Sequence, residues 1–182
     1  MAIIHVGATL TPHFREFLPA WVARQPWYSG HGVPDLTPVG YFRFEDPAGQ
    51  VGIDTHLVTD GSLVYQIPMT YRDAPVPHPL IATAEHSVLG TRWIYDAETD
   101  PVWIDRVLDL VRTEGVSDPS IRRNVAPAEA RGQQLGQLPG TARIDLRRVL
   151  TAGAAPAGPG IVGVVMGSWQ DTSGCLATII DM

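Results

Sequence analysis

Between Val39 and Tyr71 the apolar residues change from a helical spacing to a spacing of two, and no other feature constrains the fold as much. Phe42 and Phe44 share one strand face. In Asp46-Pro-Ala-Gly49 proline and glycine stand where a type I turn places them, and Val51, Ile53 and Leu57 then resume the alternation. Asp60-Gly61 signals a hairpin. Leu63, Tyr65, Ile67, Met69 and Tyr71 follow, five apolar residues at odd positions. Pro68 cannot donate to a ladder, which predicts an edge or bulge on its N–H side. The run predicts a three-stranded antiparallel meander with one face left for a helix to cover.

That helix precedes it. Phe14, Phe17, Leu18, Trp21 and Val22 form a complete apolar stripe at helical spacing. Thr11-Pro12 predicts its start, a hydroxyl N-cap followed by proline at the first helical position. Pro19 predicts a kink, because it cannot donate to the Arg15 carbonyl, and the helix should end before Pro26. Ala2 to Leu10 is consistent with a first strand. Gln25-Pro-Trp-Tyr-Ser-Gly-His-Gly32 is a loop crowded with Trp27, Tyr28 and His31. It serves either as an aromatic plug over the sheet edge or as a ligand or partner loop, and the plug is favoured because Trp and Tyr close a core while keeping a polar tip wet.

After the spacer Ala74-Pro-Val-Pro-His-Pro79 comes a stretch that packs Glu85, His86, Arg92, Trp93, Tyr95 and Asp96 around Gly90. Ile81 to Leu89 is compatible with a short helix or a strand, and Thr91 to Tyr95 predicts a strand. Arg92 is expected to be buried there, held by an acidic residue or by several backbone carbonyls so that it locks the loop around Gly90. Asp100-Pro101 predicts a second helix, with Trp103, Ile104, Val107, Leu108 and Val111 as its stripe and Gly115 as its stop. Ser117 to Gly140 has no sustained period and is expected to be a long connector. Ala142 to Leu150 alternates, and Ile161 to Met166 and Leu176 to Ile180 are β-prone around Asp171-Thr-Ser-Gly174, which predicts a second meander.

The fold class is therefore α+β: an antiparallel meander on a kinked N-terminal helix, a second helix and a C-terminal β meander. A chain of 182 residues with 45% apolar content can bury one sizeable core, so residues 116–182 should complete the same compact domain as residues 1–115.

The charge pattern excludes several chemistries. All thirteen basic residues are arginine, which removes a P-loop lysine, an ATP-pairing kinase lysine and a Schiff base. A net charge of −6 argues against nucleic acid as a partner, since a phosphate backbone needs clustered positive charge. Cys175 is the single cysteine, so an intramolecular disulfide and a cysteine-rich metal site are excluded, and its apolar flanks point to a buried thiol. The six histidines lie in no metal-ligand spacing, and Glu85-His86 is the only acidic–imidazole neighbour pair. Adjacent strand residues face opposite ways, so that pair alone makes no catalytic dyad. There is no nucleophile elbow, dinucleotide fingerprint or Walker pattern. No metal and no cofactor is called for. No run approaches the ~20 apolar residues of a membrane span, and the first residues lack a basic leader, so a soluble, cytoplasmic chain without a membrane partner is expected.

Four strings then resemble one family: Gln25-Pro-Trp-Tyr-Ser-Gly, Val39-Gly-Tyr-Phe-Arg-Phe, Ile81-Ala-Thr-Ala-Glu-His-Ser-Val-Leu-Gly-Thr-Arg-Trp-Ile-Tyr-Asp, and Asp100-Pro-Val-Trp-Ile-Asp. They look like the N-terminal cap domain of actinobacterial maltokinases, closest to small stand-alone proteins of that kind, sometimes labelled 1,4-α-glucan branching proteins. The likeness covers about residues 1–115. It implies a curved, somewhat cystatin-like antiparallel sheet embracing a helix. In those enzymes the phosphate-binding loop and catalytic aspartate lie beyond the cap, so no catalytic residue is implied here. The resemblance implies a non-catalytic accessory, regulatory or interaction role with a protein partner in maltose, trehalose or glycogen metabolism. The alternative is a small sugar-binding or hydrolytic protein using the Trp27 and Tyr28 loop with Glu85 and His86. The candidate binding or interaction residues are Trp27, Tyr28, His31, Glu85, His86, Arg92 and Trp93.

Overall fold

The computed structural model describes residues 7–118 and 127–181. Its architecture is α+β, with two helices, 46% strand and a strongly curled antiparallel sheet resembling half a barrel. Strand β1 (Leu10–Thr11) leads into helix α1 (Phe14–Val22), followed by β2 (Thr37–Phe44), β3 (Gly52–Thr59) and β4 (Val64–Arg72). Next come β5 (Leu80–His86), β6 (Gly90–Asp96), a 3-10 turn (Ala97–Thr99) and helix α2 (Pro101–Arg112). The remainder is β7 (Ala128–Gln134), β8 (Ala142–Leu146), β9 (Val149–Leu150), β10 (Ile161–Trp169) and β11 (Thr172–Asp181). The first sheet runs β1-β5-β6-β4-β3-β2, with β9 added on β4, and the second runs β7-β10-β11-β8.

The alternation in β4 decides how these layers stack. Its odd residues Tyr65, Ile67 and Met69 bury against Phe14, Leu18, Trp21 and Val22 of α1. The opposite face, carried by Phe42, Phe44, Ile53 and Leu57, buries against Trp103, Val107, Leu110 and Val111 of α2 and against Val165, Leu176 and Ile179 of the second sheet. Both faces of the first sheet are thus covered. This is why β3 and β4 are almost continuously buried rather than half wet.

Several local expectations are corrected by longer-range pairing. Thr11 does not cap α1: it pairs with Glu85 in β1, and the cap falls two residues later, at His13. His13 is the N-cap, with its Nδ1 accepting from the Arg15 N–H at 3.3 Å while Glu16 accepts from the His13 N–H at 2.6 Å. Pro19 lies inside the helix, as expected. Asp100 caps α2 by accepting from the Val102 N–H at 3.0 Å. Ile81 to Leu89 belongs to a hairpin, its first part being β5. Residues 2–6 of the expected first strand lie outside the described residues.

β4 is an interior strand, yet the N–H side of Pro68 has no strand partner among the described residues, as expected of a residue that cannot donate. Gln66, two residues earlier, donates its N–H to the Arg148 carbonyl, so by alternation the Pro68 nitrogen faces the same way. It falls in the gap between β9, which pairs with Val64 and Tyr65, and β6, which pairs with Met69 to Arg72. The missing donor sits where the sheet branches.

The expected connector from Ser117 to Gly140 contains a full strand, β7, while residues 119–126 lie outside the described residues. Its buried residues Ala128, Ala130 and Gly132 alternate with the exposed Glu129, Arg131 and Gln133. They are small because α2 passes directly over them: a Cβ at Gly132 would collide with the Leu110 carbonyl. The alternating run from Ala142 to Leu150 also divides. β8 pairs with β11 and β9 with β4, so this segment steps from one sheet to the other. At the step the Gln66 side-chain amide donates to the carbonyls of Arg147 and Leu176, both at 2.9 Å.

Trp103 is 3% exposed between α2 and the sheets. Trp103→Ala should cost ~3–5 kcal/mol, the range for emptying a large aromatic site in a core, when unfolding is followed in urea. A loss under about 1 kcal/mol would show that α2 is not anchored there.

Candidate functional site

The candidate residues fall on two elements. The first is the β5–β6 hairpin, in which Ile81, Ala84, Ile94 and Tyr95 turn inward. Gly90 has φ +72°, a backbone conformation that favours glycine and lets the chain reverse in a short turn. His86 organises that turn: its Nδ1 accepts from the Val88 N–H at 3.2 Å and the Leu89 N–H at 3.1 Å. Ser87 fastens the turn to the incoming chain, donating its N–H to the Thr9 carbonyl and accepting the Thr9 N–H on Oγ, both at 3.0 Å. Glu85 accepts from the Thr91 hydroxyl across the hairpin. On this rigid tip Val88 is 58% and Leu89 44% exposed.

Arg92 and Trp93 sit further down β6, both half-buried. Arg92 donates to the carbonyl of its neighbour Thr91 at 3.0 Å, so the expected carboxylate or multi-carbonyl lock is not what holds this loop. The turn is locked by His86 and Ser87 instead. Trp93 lies opposite Thr83 and Arg72 in the sheet.

The second element is the aromatic loop after α1. Trp27 and Tyr28 are half-buried, with ring centroids 5.6 and 5.9 Å from Tyr65, and Trp27 is 5.8 Å from Trp21. The Tyr65 hydroxyl donates to Asp60 at 2.7 Å. Burial, and then that bond, push its pKa well up. This is the aromatic plug: Trp27 and Tyr28 close the end of the core that α1 and β4 share, and His31 is exposed.

The structure does not bring the two groups together. Trp27 and Tyr28 pack at the Tyr65 end of β4, whereas β6 pairs with its Met69 to Arg72 end and the hairpin tip extends beyond. Seven residues of strand separate Tyr65 from Arg72, about 23 Å of backbone. A single pocket built from Trp27, Tyr28, Glu85 and His86 is therefore not formed.

What joins the loop to the rest of the chain is Arg148, which the sequence reading missed. Its side chain is 8% exposed, and Nη2 meets both Asp96 oxygens at 2.7 Å and Glu98 at 2.6 Å. The guanidinium carbon lies 5.7 Å from the Trp27 ring centroid. Nε and Nη1 are buried and make no hydrogen bond among the described residues, so the cation is held end-on by two carboxylates and covered by an indole. A signal was present: Arg148 occupies the apolar phase of the run Ala142, Ile144, Leu146, Leu150. A second ionic junction lies at the base of α2. There Asp100 receives Arg72 at 2.7 Å and the Thr70 hydroxyl at 2.8 Å. Burial pushes the Asp100 carboxyl up, but the bonds from Arg72, Thr70 and the Val102 N–H outweigh it and hold the pKa below the ordinary 3.8.

Compared with known families, residues 21–100 match the model of the maltokinase N-terminal cap domain. This stretch is similar to a maltokinase N-terminal cap domain. No curated protein matches the chain. The cap-like stretch runs from the last turns of α1 to the Asp100 N-cap and contains all seven candidate residues. Its tie to Arg148 and its buried contacts with Leu176 and Val165 show that the last third of the chain shares its core. Among the described residues no group of three His, Cys, Asp or Glu is placed to hold a metal ion, and no helix is long and apolar enough to cross a membrane.

Arg148→Met should destabilise the cap-like fold by about 3 kcal/mol, because it leaves Asp96 largely buried without its cation, and it should alter Trp27 fluorescence. Unchanged stability would remove Arg148 as the junction. The Asp100 interaction carries a pH dependence of definite sign. A carboxyl with a depressed folded pKa contributes stability above its ordinary value near 3.8, and that contribution is lost as the pH falls through the folded pKa. Thermal scans should therefore give Asp100→Asn a lower Tm than wild type at pH 7 and a smaller deficit at pH 3.

Proposed function

We propose that this protein is a non-catalytic accessory module that docks through the β5–β6 tip onto a protein partner in α-glucan metabolism, the maltose, trehalose or glycogen branch. The family match to a maltokinase cap supports the link to that chemistry. The observation that carries the docking role is the tip itself. Two adjacent apolar side chains, Val88 and Leu89, project from a turn fixed by four hydrogen bonds. An apolar contact already held in shape loses little entropy on binding, which favours recognition by a partner. The sugar-binding alternative is less well supported, because Trp27 already has Tyr65, Trp21 and Arg148 against it. The best-formed carboxylates, Asp96 and Asp100, are likewise committed to arginines within the fold.

The test uses the purified protein and the separately produced kinase-like body of a maltokinase lacking its own cap, titrated in a calorimeter. Val88→Ser with Leu89→Ser should change stability by less than about 0.5 kcal/mol, as surface substitutions do, and weaken binding by at least ~10-fold. Incubated alone with ATP and maltose, the protein should form no phosphorylated sugar. Turnover abolished by one substitution in this chain would overturn the accessory reading, and binding unaffected at the tip would move the contact elsewhere.

A further inference from the structure

We propose that the protein self-associates through β8, pairing it antiparallel with β8 of a second copy about a two-fold axis at Ile144. β8 is a terminal strand of the second sheet, bonded on one side to β11. The Arg147 N–H donates to the Leu176 carbonyl at 2.9 Å, so Arg143 and Asp145, in the same phase, turn their backbone groups toward β11. Ala142, Ile144 and Leu146 turn theirs away from it, toward the side where a further strand would add.

The side chains select both the occupant and the register. Backbone alternation allows a two-fold centre on any residue of the strand, but centring on Ala142 or Leu146 overlaps the two copies of β8 by a single residue, which leaves Arg143, Ile144 and Asp145 as centres. Centring on Arg143 sets Arg143 against Arg143, and centring on Asp145 sets Asp145 against Asp145 and Arg143 against Arg147. Centring on Ile144 places Arg143 opposite Asp145 of the second copy, twice by symmetry. In that register the charged residues form a non-hydrogen-bonded pair, the closer of the two pair types in an antiparallel ladder. Arg143 is exposed and makes no ion pair among the described residues, whereas Asp145 has only Arg147 at 3.4 Å and Thr178 at 3.5 Å. On the inner face Ile144, partly buried at the rim of the core, would meet Ile144 of the second copy. A strand whose charges repel in the neighbouring registers and attract in one is complementary to itself.

Sedimentation equilibrium of the full chain between about 1 and about 500 μM should show a monomer–dimer equilibrium. Arg143→Asp and Asp145→Arg, each alone, should raise the dimer Kd by at least ~10-fold, since each turns two attractive pairs into repulsive ones. The double variant Arg143→Asp with Asp145→Arg should return the Kd to within ~3-fold of wild type. Melting curves for all three variants confirm that each is folded. A wild-type chain that stays monomeric throughout, or a dimer indifferent to the single reversals, overturns the proposal. In the first case the two charges act as guards that keep the edge unpaired. A dimer lost in both single variants and not restored in the double excludes this register.

Discussion

A single guanidinium, that of Arg148, holds two separate parts of the chain in one place: the segment from the end of β6 into the 3-10 turn, through Asp96 and Glu98, and the aromatic loop, through Trp27. Such a junction adds little net stability, because desolvating the charges offsets most of their attraction. Its consequence is geometric. Arg148 stands where the chain passes from β8 to β9, beside the β9–β4 pairing and the Gln66 amide that bonds the carbonyls of Arg147 and Leu176. Removing the cation would leave two carboxylates beside each other without their counter-charge.

Both faces of the first sheet are covered, as its apolar alternation requires. α1 and the aromatic loop close one side, and α2 with the second sheet closes the other. Several polar groups in or beside the core are paired across elements: Thr70 and Arg72 with Asp100, Arg43 with Asp54, and Tyr65 with Asp60. The family match ends at residue 100, yet the core does not. Residues 128–179 supply part of the apolar surface that buries Phe42, Phe44 and Ile53.

Functional residues divide by what they are needed for. Glu85 and His86, the one acidic–imidazole neighbour pair in the sequence, shape the hairpin turn. Trp27 and Tyr28 complete a core. Val88 and Leu89, which carry no catalytic chemistry, are left on the surface of a stiff turn.

The sequence by itself determined the features whose causes are local. The Asp100-Pro101 start of α2, the stripe of α1, the Asp60-Gly61 hairpin and the odd-numbered apolar face of β4 each depend on neighbours within a few residues, so the α+β class and the first three-stranded meander were legible. Tertiary structure decided the rest. Thr11 was drawn from a helix cap into a strand by Glu85, 74 positions away (85 − 11). β7 was hidden because its inward residues are small, chosen for the α2 backbone that crosses them rather than for apolar bulk. Arg92 and Arg148 could not be ranked from sequence, since a buried cation is identified by the carboxylates that fold around it. For Arg148 those are Asp96 and Glu98, 52 and 50 positions away. Pairing at that separation is set by the packing of whole layers, which no local pattern encodes.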